Sequence, residues 1–256
     1  MKKHFYPIFA LFLVGVMFSC QSPKSNSTKE EAAGIDSMAP NPFITHMYTA
    51  DPSAHVWADG RLYVYASHDI DPPRGCDLMD RYHVFSTDDM VNWTDHGEIL
   101  NSSQVPWGRK EGGFMWAPDC AYKDGTYYFY FPHPSDTKWN DSWKIGVATS
   151  KEPAANFTVQ GYIEGMDPLI DPCVFVDDDG QAYIYNGGGQ ICKGGKLKDN
   201  MVELDGEMKE MEGLEDFHEA TWIHKYNGKY YLSYSCLLYT SPSPRDMRRS
   251  RMPSSA

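Results

Sequence analysis

The chain has 256 residues, a formal net charge of −12 and an aromatic content of 14%. The negative charge argues against nucleic acid as a partner and against electrostatic binding to anionic membranes. Six cysteines occur without any C-x-x-C pair, so the sequence shows no zinc or redox motif and predicts no disulfide framework. The function must therefore be sought in other motifs.

Residues 1–20 are typical of a bacterial export signal. Two lysines precede an apolar run that is too short to span a bilayer as a stable helix. The run ends at Cys20 and resembles a lipoprotein signal whose cysteine is acylated; an ordinary cleaved signal is the alternative. Residues 21–40, rich in Ser, Lys, Glu and Ala, predict a flexible linker. We therefore expect an exported protein, periplasmic or at the cell surface, that meets the membrane only through a lipid anchor.

Residues 41–235 contain four copies of a short hairpin pattern. Each copy has an apolar strand, an Asp-Gly or Asn-Gly turn and a second strand rich in Tyr, Phe, Val and Ile, which is a strong hairpin signal. The turn glycines are Gly60, Gly125, Gly180 and Gly228. The segments between the hairpins supply further strand pairs, giving about four strands per repeat, as in a propeller blade. The sequence therefore predicts an all-β propeller domain.

A lone carboxylate precedes three of the four hairpins. Asp51 and Asp171 are each followed by a proline, and Glu219 follows a histidine. Because equivalent positions of successive blades lie around one axis, we expect these three acids to meet in one pocket. Two acids in one pocket are what the hydrolysis of a glycosidic bond requires: one protonates the leaving oxygen, and the other activates water or attacks.

With these motifs the chain resembles glycoside hydrolase family 43, five-bladed propeller enzymes that act on arabinose- and xylose-containing glycans. The resemblance rests on the ADP with Asp51, MWAPDCAYKDGTYYFYF from Met115, the IDP segment with Asp171, and Glu219 before WIHKYNGKYYLSYS. It implies cleavage of α-L-arabinofuranosyl or β-xylosyl linkages in plant polysaccharides with inversion. Asp51 would be the general base, Glu219 the general acid, and Asp171 would set the pKa and orientation of that acid. Base and acid would lie about 6.5–9.5 Å apart.

The alternative function is a carbohydrate-binding propeller without turnover. The pentose, the linkage and the choice of endo or exo attack stay open. The resemblance requires no cofactor, although it implies that a calcium ion on the propeller axis occurs in some members. The sequence itself shows no metal site.

Several other residues lie close to these motifs. Asp167 also precedes a proline, but its spacing to the hairpin fits less well than that of Asp171. Trp116 lies just before the inner strand of the second blade, where its indole either forms a platform beneath a sugar or packs inside. We expect Asp119 to have a hydrogen-bonding role in that strand.

The first and third hairpins carry further polar residues. His55, His68 and Asp69 flank the first hairpin, where packing or exposure is the simpler expectation. Residues 177–179, three aspartates before Gly180, lack the spacing of an EF-hand and predict a turn.

The propeller pattern stops at Ser235. Residues 41–235 amount to three blades and the opening hairpin of a fourth, whereas five blades of this length would need roughly 280 residues. Residues 236–256 contain four of the eight arginines, many Ser and Pro, and no strand pattern. We expect this tail to be non-native and the natural chain to continue; a genuine basic tail is the alternative. Since an incomplete propeller exposes strand edges, we expect the 256 residues alone to be unstable or inactive.

Overall fold

The computed structural model describes residues 42–70, 75–138 and 141–236. The predicted signal peptide with Cys20, the predicted linker and, apart from Cys236, the predicted tail lie outside the described residues. Within these ranges the regular structure is strand, with two single-turn 3-10 helices at Cys76–Leu78 and Ser102–Gln104. None of the described helices has the length or apolar character to cross a membrane.

The strands form four antiparallel sheets in chain order, which we call blades one to four. Blade one contains β1 (Tyr48–Val56), β2 (Leu62–Asp69), β3 (Arg81–Thr87) and β4 (Thr94–Asn101). Blade two contains β5 (Asp119–Lys123), β6 (Thr126–Pro134), β7 (Trp143–Ser150) and β8 (Thr158–Tyr162). Blade three contains β9 (Ile170–Val176), β10 (Ala182–Gly188), β11 (Ile191–Lys196) and β12 (Lys209–Glu210). Blade four, as described, is the hairpin of β13 (Glu219–Tyr226) and β14 (Lys229–Ser235). The prediction of an all-β propeller with three blades and the start of a fourth is confirmed.

The turn glycines close the first hairpin of each blade, as predicted. All four have a positive φ, between 73° and 83°. In blades two and four the turn has two residues, and Asp124 and Asn227 before the glycine are also left-handed, which matches the type I′ hairpin. In blades one and three the connection has five residues, 57–61 and 177–181. The aspartates before Gly180 lie in this longer connection, as the sequence predicts.

The apolar core lies between neighbouring blades and is rich in aromatic rings. Between blades one and two, Tyr65, Tyr82 and Phe129 are fully buried and their rings contact one another. Two buried tyrosines also join separate segments by hydrogen bonds: the Tyr65 hydroxyl donates to the Pro153 carbonyl at 2.7 Å, and the Tyr130 hydroxyl to the Met201 carbonyl at 2.9 Å. Each ring thus contributes apolar area while its hydroxyl finds a partner.

One buried carboxylate joins the inner strands of three blades. Asp119 begins β5 and is 1% exposed. Its Oδ1 accepts hydrogen bonds from Nε2 of His55 on β1, at 2.7 Å, and from its neighbour's backbone N–H at 2.8 Å. Its Oδ2 accepts from the backbone N–H of Val174 on β9 at 2.7 Å. Asp119 therefore has the predicted hydrogen-bonding role, and it acts between blades as well as within its own strand.

We predict that Asp119→Ala lowers the free energy of unfolding by about 3 kcal/mol. The substitution leaves two buried N–H donors and one imidazole without their charged acceptor. Denaturant titration measures the change. The matched control is Asp199→Ala, which removes a fully exposed partner of Lys123 and should change stability little. Equal effects of the two substitutions would contradict the role of Asp119 between blades.

Candidate active site

A cavity of about 420 Å³ opens where the inner strands of the four blades begin. Asp51 of blade one, Asp171 of blade three and Glu219 of blade four all line it, together with Trp116 and Asp119 of blade two. The structure thus brings the three acids predicted from the hairpin repeat into one pocket.

The other candidates from the sequence are not part of this wall. Asp167 forms an ion pair with Lys193, and His68 Nδ1 bonds Asp80 Oδ1 at 2.8 Å. His55 lies behind the cavity, on Asp119.

Asp51 and Asp171 sit in matching β-bulges. In β1, Asp51 and Pro52 together oppose one residue of β2, and in β9, Asp171 and Pro172 oppose one residue of β10. Both aspartates have a left-handed backbone, with φ of 48° and 50°. Few residues other than glycine adopt this conformation, and aspartate tolerates it better than most. Proline fits the next position because a bulge interrupts the ladder hydrogen bonds that proline cannot donate.

Glu219 is shifted by one residue relative to this pattern. The bulge of β13 falls on Ala220, with φ of 61°, and on Thr221, so that Glu219 pairs with Ser235 just before it. The reason is the hairpin turn, which has two residues in blade four and five in blades one and three. The predicted equivalence in the repeat therefore holds for Asp51 and Asp171 and is off by one for Glu219.

Trp116 holds the position in blade two that Glu219 holds in blade four. Each lies nine residues before its turn glycine, and both hairpins have two-residue turns. Counting back from Gly125 would have revealed this equivalence from the sequence.

Asp171 is the most deeply buried of the three acids, with 8% exposure. Its Oδ2 accepts a hydrogen bond from the backbone N–H of Ala220 at 2.8 Å, and its carbonyl accepts one from the Thr221 hydroxyl at 3.1 Å. Burial raises the pKa of Asp171 to about 7; the Ala220 N–H opposes this rise, and the charges of Glu219 and Asp51 add to it. Asp171 thus contacts the backbone that directly follows Glu219.

Asp51 and Glu219 are more open to solvent. Although the Asp51 side chain reaches solvent, the surrounding walls remove part of its hydration, which raises its pKa. The negative charges of Glu219 and then Asp69 raise the pKa of Asp51 further. The Glu219 side chain is 39% exposed, and its Oε2 lies 3.6 Å from Nε2 of His218. The two open acids are therefore accessible to a ligand and to water.

Trp116 both packs and lines the cavity, so the two alternatives from the sequence are compatible. Its indole N–H donates to the Cys76 carbonyl at 2.5 Å, and its own carbonyl accepts from the Tyr82 hydroxyl at 2.7 Å. Its ring centroid lies 4.7 Å from that of Trp143. Sequence reasoning missed Tyr82 and Cys76, because neither belongs to the repeat motif.

Among residues 42–70, 75–138 and 141–236, no group of three or more His, Cys, Asp or Glu side chains is arranged to hold a metal ion. The calcium ion implied by the resemblance therefore finds no ligand set in this part of the chain, and no catalytic step is assigned to it.

Comparison with known proteins agrees with this geometry. The family model described as glycosyl hydrolases family 43 matches residues 39–255. This chain belongs to glycosyl hydrolases family 43. Members of the family are glycosidases, so the chain is an enzyme that hydrolyses glycosidic bonds, and the resemblance found in the sequence is confirmed.

Individual relatives of family 43 place the chain more narrowly. Xylosidase/arabinosidase 43A of Humicola insolens is 40% identical, over 76% of this chain and 74% of the relative. A xylosidase/arabinosidase of Bacteroides ovatus is 35% identical, over 73% and 70%. Among solved structures, the β-xylosidase/α-arabinofuranosidase CoXyl43 from a compost microbial metagenome, in complex with xylotriose, matches with a TM-score of 0.66. It shares 39% identity over 75% of this chain and 71% of that chain.

We predict that Asp171→Asn becomes more stabilising relative to the parent as the pH rises from 5 to 8. The native pKa of about 7 lies above the unfolded value of 3.8, so the parent loses about 1.4 kcal/mol per pH unit between these values from this group. Asparagine cannot ionise and can still accept the Ala220 hydrogen bond. Thermal melting of both proteins across this pH range measures the trend.

The matched control for this series is Asp205→Asn, an exposed aspartate of blade three. A melting difference between the Asp171 variant and its parent that stays constant with pH would contradict the burial of an ionisable Asp171.

Proposed function

We propose that the protein hydrolyses α-L-arabinofuranosyl or β-xylosyl linkages in plant polysaccharides with inversion of the anomeric centre. The observation that carries this proposal is the convergence of three carboxylates from three blades on one cavity of about 420 Å³. Relatives named xylosidase/arabinosidase and arabinoxylan arabinofuranohydrolase support the pentose substrate class.

Glu219 is proposed as the general acid and Asp51 as the general base. The acid gives its proton to the leaving oxygen while the base takes a proton from the attacking water, so that one bond breaks as the other forms. Both side chains reach solvent within the cavity, as a group that meets substrate or water must.

Asp171 is proposed as the residue that positions the acid. Its carboxylate accepts the N–H of Ala220, which belongs to the peptide unit directly after Glu219. This contact fixes the backbone from which the Glu219 side chain extends. That Asp171 also sets the pKa of the acid stays a prediction from the resemblance.

The walls of the cavity suit a sugar. Trp116 and Trp222 line it beside the acids, and an indole face packs against the C–H groups of a sugar ring while carboxylates bind its hydroxyls. Such a mixture of apolar walls and few polar groups favours a neutral carbohydrate.

Glu219→Gln and Asp51→Asn are each expected to lower kcat at least about 10³-fold on xylo- or arabino-oligosaccharides in the full-length protein. The two roles predict different patterns. Loss of the acid should matter less for 4-nitrophenyl glycosides, whose leaving group needs little protonation, whereas loss of the base should affect both substrates equally. Rates from steady-state kinetics with both substrates separate the roles.

Matched controls for these two variants are Glu212→Gln and Asp205→Asn, which are exposed and lie outside the cavity. Catalytic variants that match these controls in rate would contradict the assignment. Retained oligosaccharide binding by the inactive variants would separate lost chemistry from lost structure.

We also propose that the protein is exported and anchored to a membrane by a lipid on Cys20. The support is the pattern of two lysines, a short apolar run and a terminal cysteine in the sequence.

In a bacterial host, the parent is expected to incorporate labelled fatty acid and to sediment with membranes. Cys20→Ala should lose both properties. A parent protein that is cleaved and recovered without the label would favour the ordinary secretory signal instead.

A further inference from the structure

A second cavity, of about 610 Å³, lies directly beside the acidic pocket. Its volume is within the range of sites that bind small ligands. Trp116 and Ile170 line both cavities, so a ligand that extends beyond the acidic pocket on this side enters the second cavity. Nothing in the three proposed catalytic roles requires this space.

One side of the second cavity is aromatic and already fixed in position. Trp143 on β7 is 4% exposed, and its ring centroid lies 4.7 Å from that of Trp116, with the two planes 31° apart. The Trp116 indole is held by its hydrogen bond to the Cys76 carbonyl. Because these rings are immobilised before a ligand arrives, a sugar that packs on them loses little conformational entropy on the protein side.

The same cavity also carries a charged pair. Lys193 on β11 and Asp167, just before β9, form an ion pair whose side chains are 26% and 45% exposed. An ion pair so open to solvent adds little to stability. An ammonium group has three donors and a carboxylate has several acceptor sites, so the pair can bind sugar hydroxyls without separating.

The backbone next to this pair leaves room for a ligand. Gly188 and Gly189, at the end of β10, line the cavity with no side chain. Polar groups facing fixed aromatic rings across open space are the arrangement expected of a carbohydrate subsite.

We propose that this cavity binds the sugar residue next to the cleaved bond, with Trp143 and Trp116 against the ring and the Lys193–Asp167 pair on its hydroxyls. The ligand is a neutral pentose within the same oligosaccharide chain. This inference rests on the proposed function, because it assigns the neighbouring subsite of the same active site.

The test is Lys193→Met in the full-length protein, with xylotriose and 4-nitrophenyl β-xyloside as substrates. Methionine keeps the aliphatic stem and removes the donors. We expect KM for xylotriose to rise about tenfold with little change in kcat, and to rise at least fivefold more than KM for the aryl xyloside. Lys198→Met, which removes an exposed ion pair with Glu203 on the same blade, is the matched control.

Equal changes with both substrates, or no change, would overturn the proposal. If the parent hydrolyses neither substrate, the proposed function fails, and calorimetry then tests the subsite alone. A Kd for xylotriose or arabinotriose about tenfold weaker in Lys193→Met supports the subsite, whereas an equal Kd, or no binding of either sugar to the parent, overturns it. Trp143→Phe, which keeps an aromatic ring in the buried position, should weaken the same binding by a smaller factor; unchanged binding would remove the aromatic wall from the proposal.

Discussion

The bulge near the start of the inner strands is the constraint on which the active site depends. At Asp51 and Asp171 the backbone becomes left-handed, which costs about 1–3 kcal/mol for a residue with a side chain. The bulge interrupts the strand's regular pairing, and both carboxylates line the cavity. β13 repeats the bulge at Ala220, whose N–H then reaches the Asp171 carboxylate. One local distortion, used in three blades, thus both builds the acidic pocket and connects two of its members.

Two buried aspartates in this region have opposite environments. The Asp119 carboxylate accepts three hydrogen bonds from three inner-strand residues, which makes it a structural link between blades. The Asp171 carboxylate accepts one from Ala220 and lies near two other acids, so burial and like charge raise its pKa. The first arrangement stabilises the propeller, and the second stores unfavourable electrostatic energy at the site. That contrast is expected where a stable fold carries a reactive centre.

The sequence predicted the hairpins because the local chemistry is sufficient: an Asn-Gly or Asp-Gly turn between alternating apolar residues specifies its own geometry. It also predicted that Asp51, Asp171 and Glu219 meet, because repetition transfers the position of one blade to the next. It did not predict the one-residue shift of Glu219, since that depends on the number of residues in the turn. Lys193 could not be found at all, because its importance comes from tertiary contacts with Asp167 and its closeness to Trp143, and no motif surrounds it.

The most direct test of this account is the anomeric form of the first product. Proton NMR of the full-length protein with a pentose oligosaccharide follows the new anomeric signal in the first minutes, before mutarotation mixes the forms. A water activated by Asp51 while Glu219 protonates the leaving oxygen predicts a product with inverted configuration. A product that retains the configuration would mean that one of these carboxylates attacks the sugar directly, and the proposed roles of the three acids would be wrong.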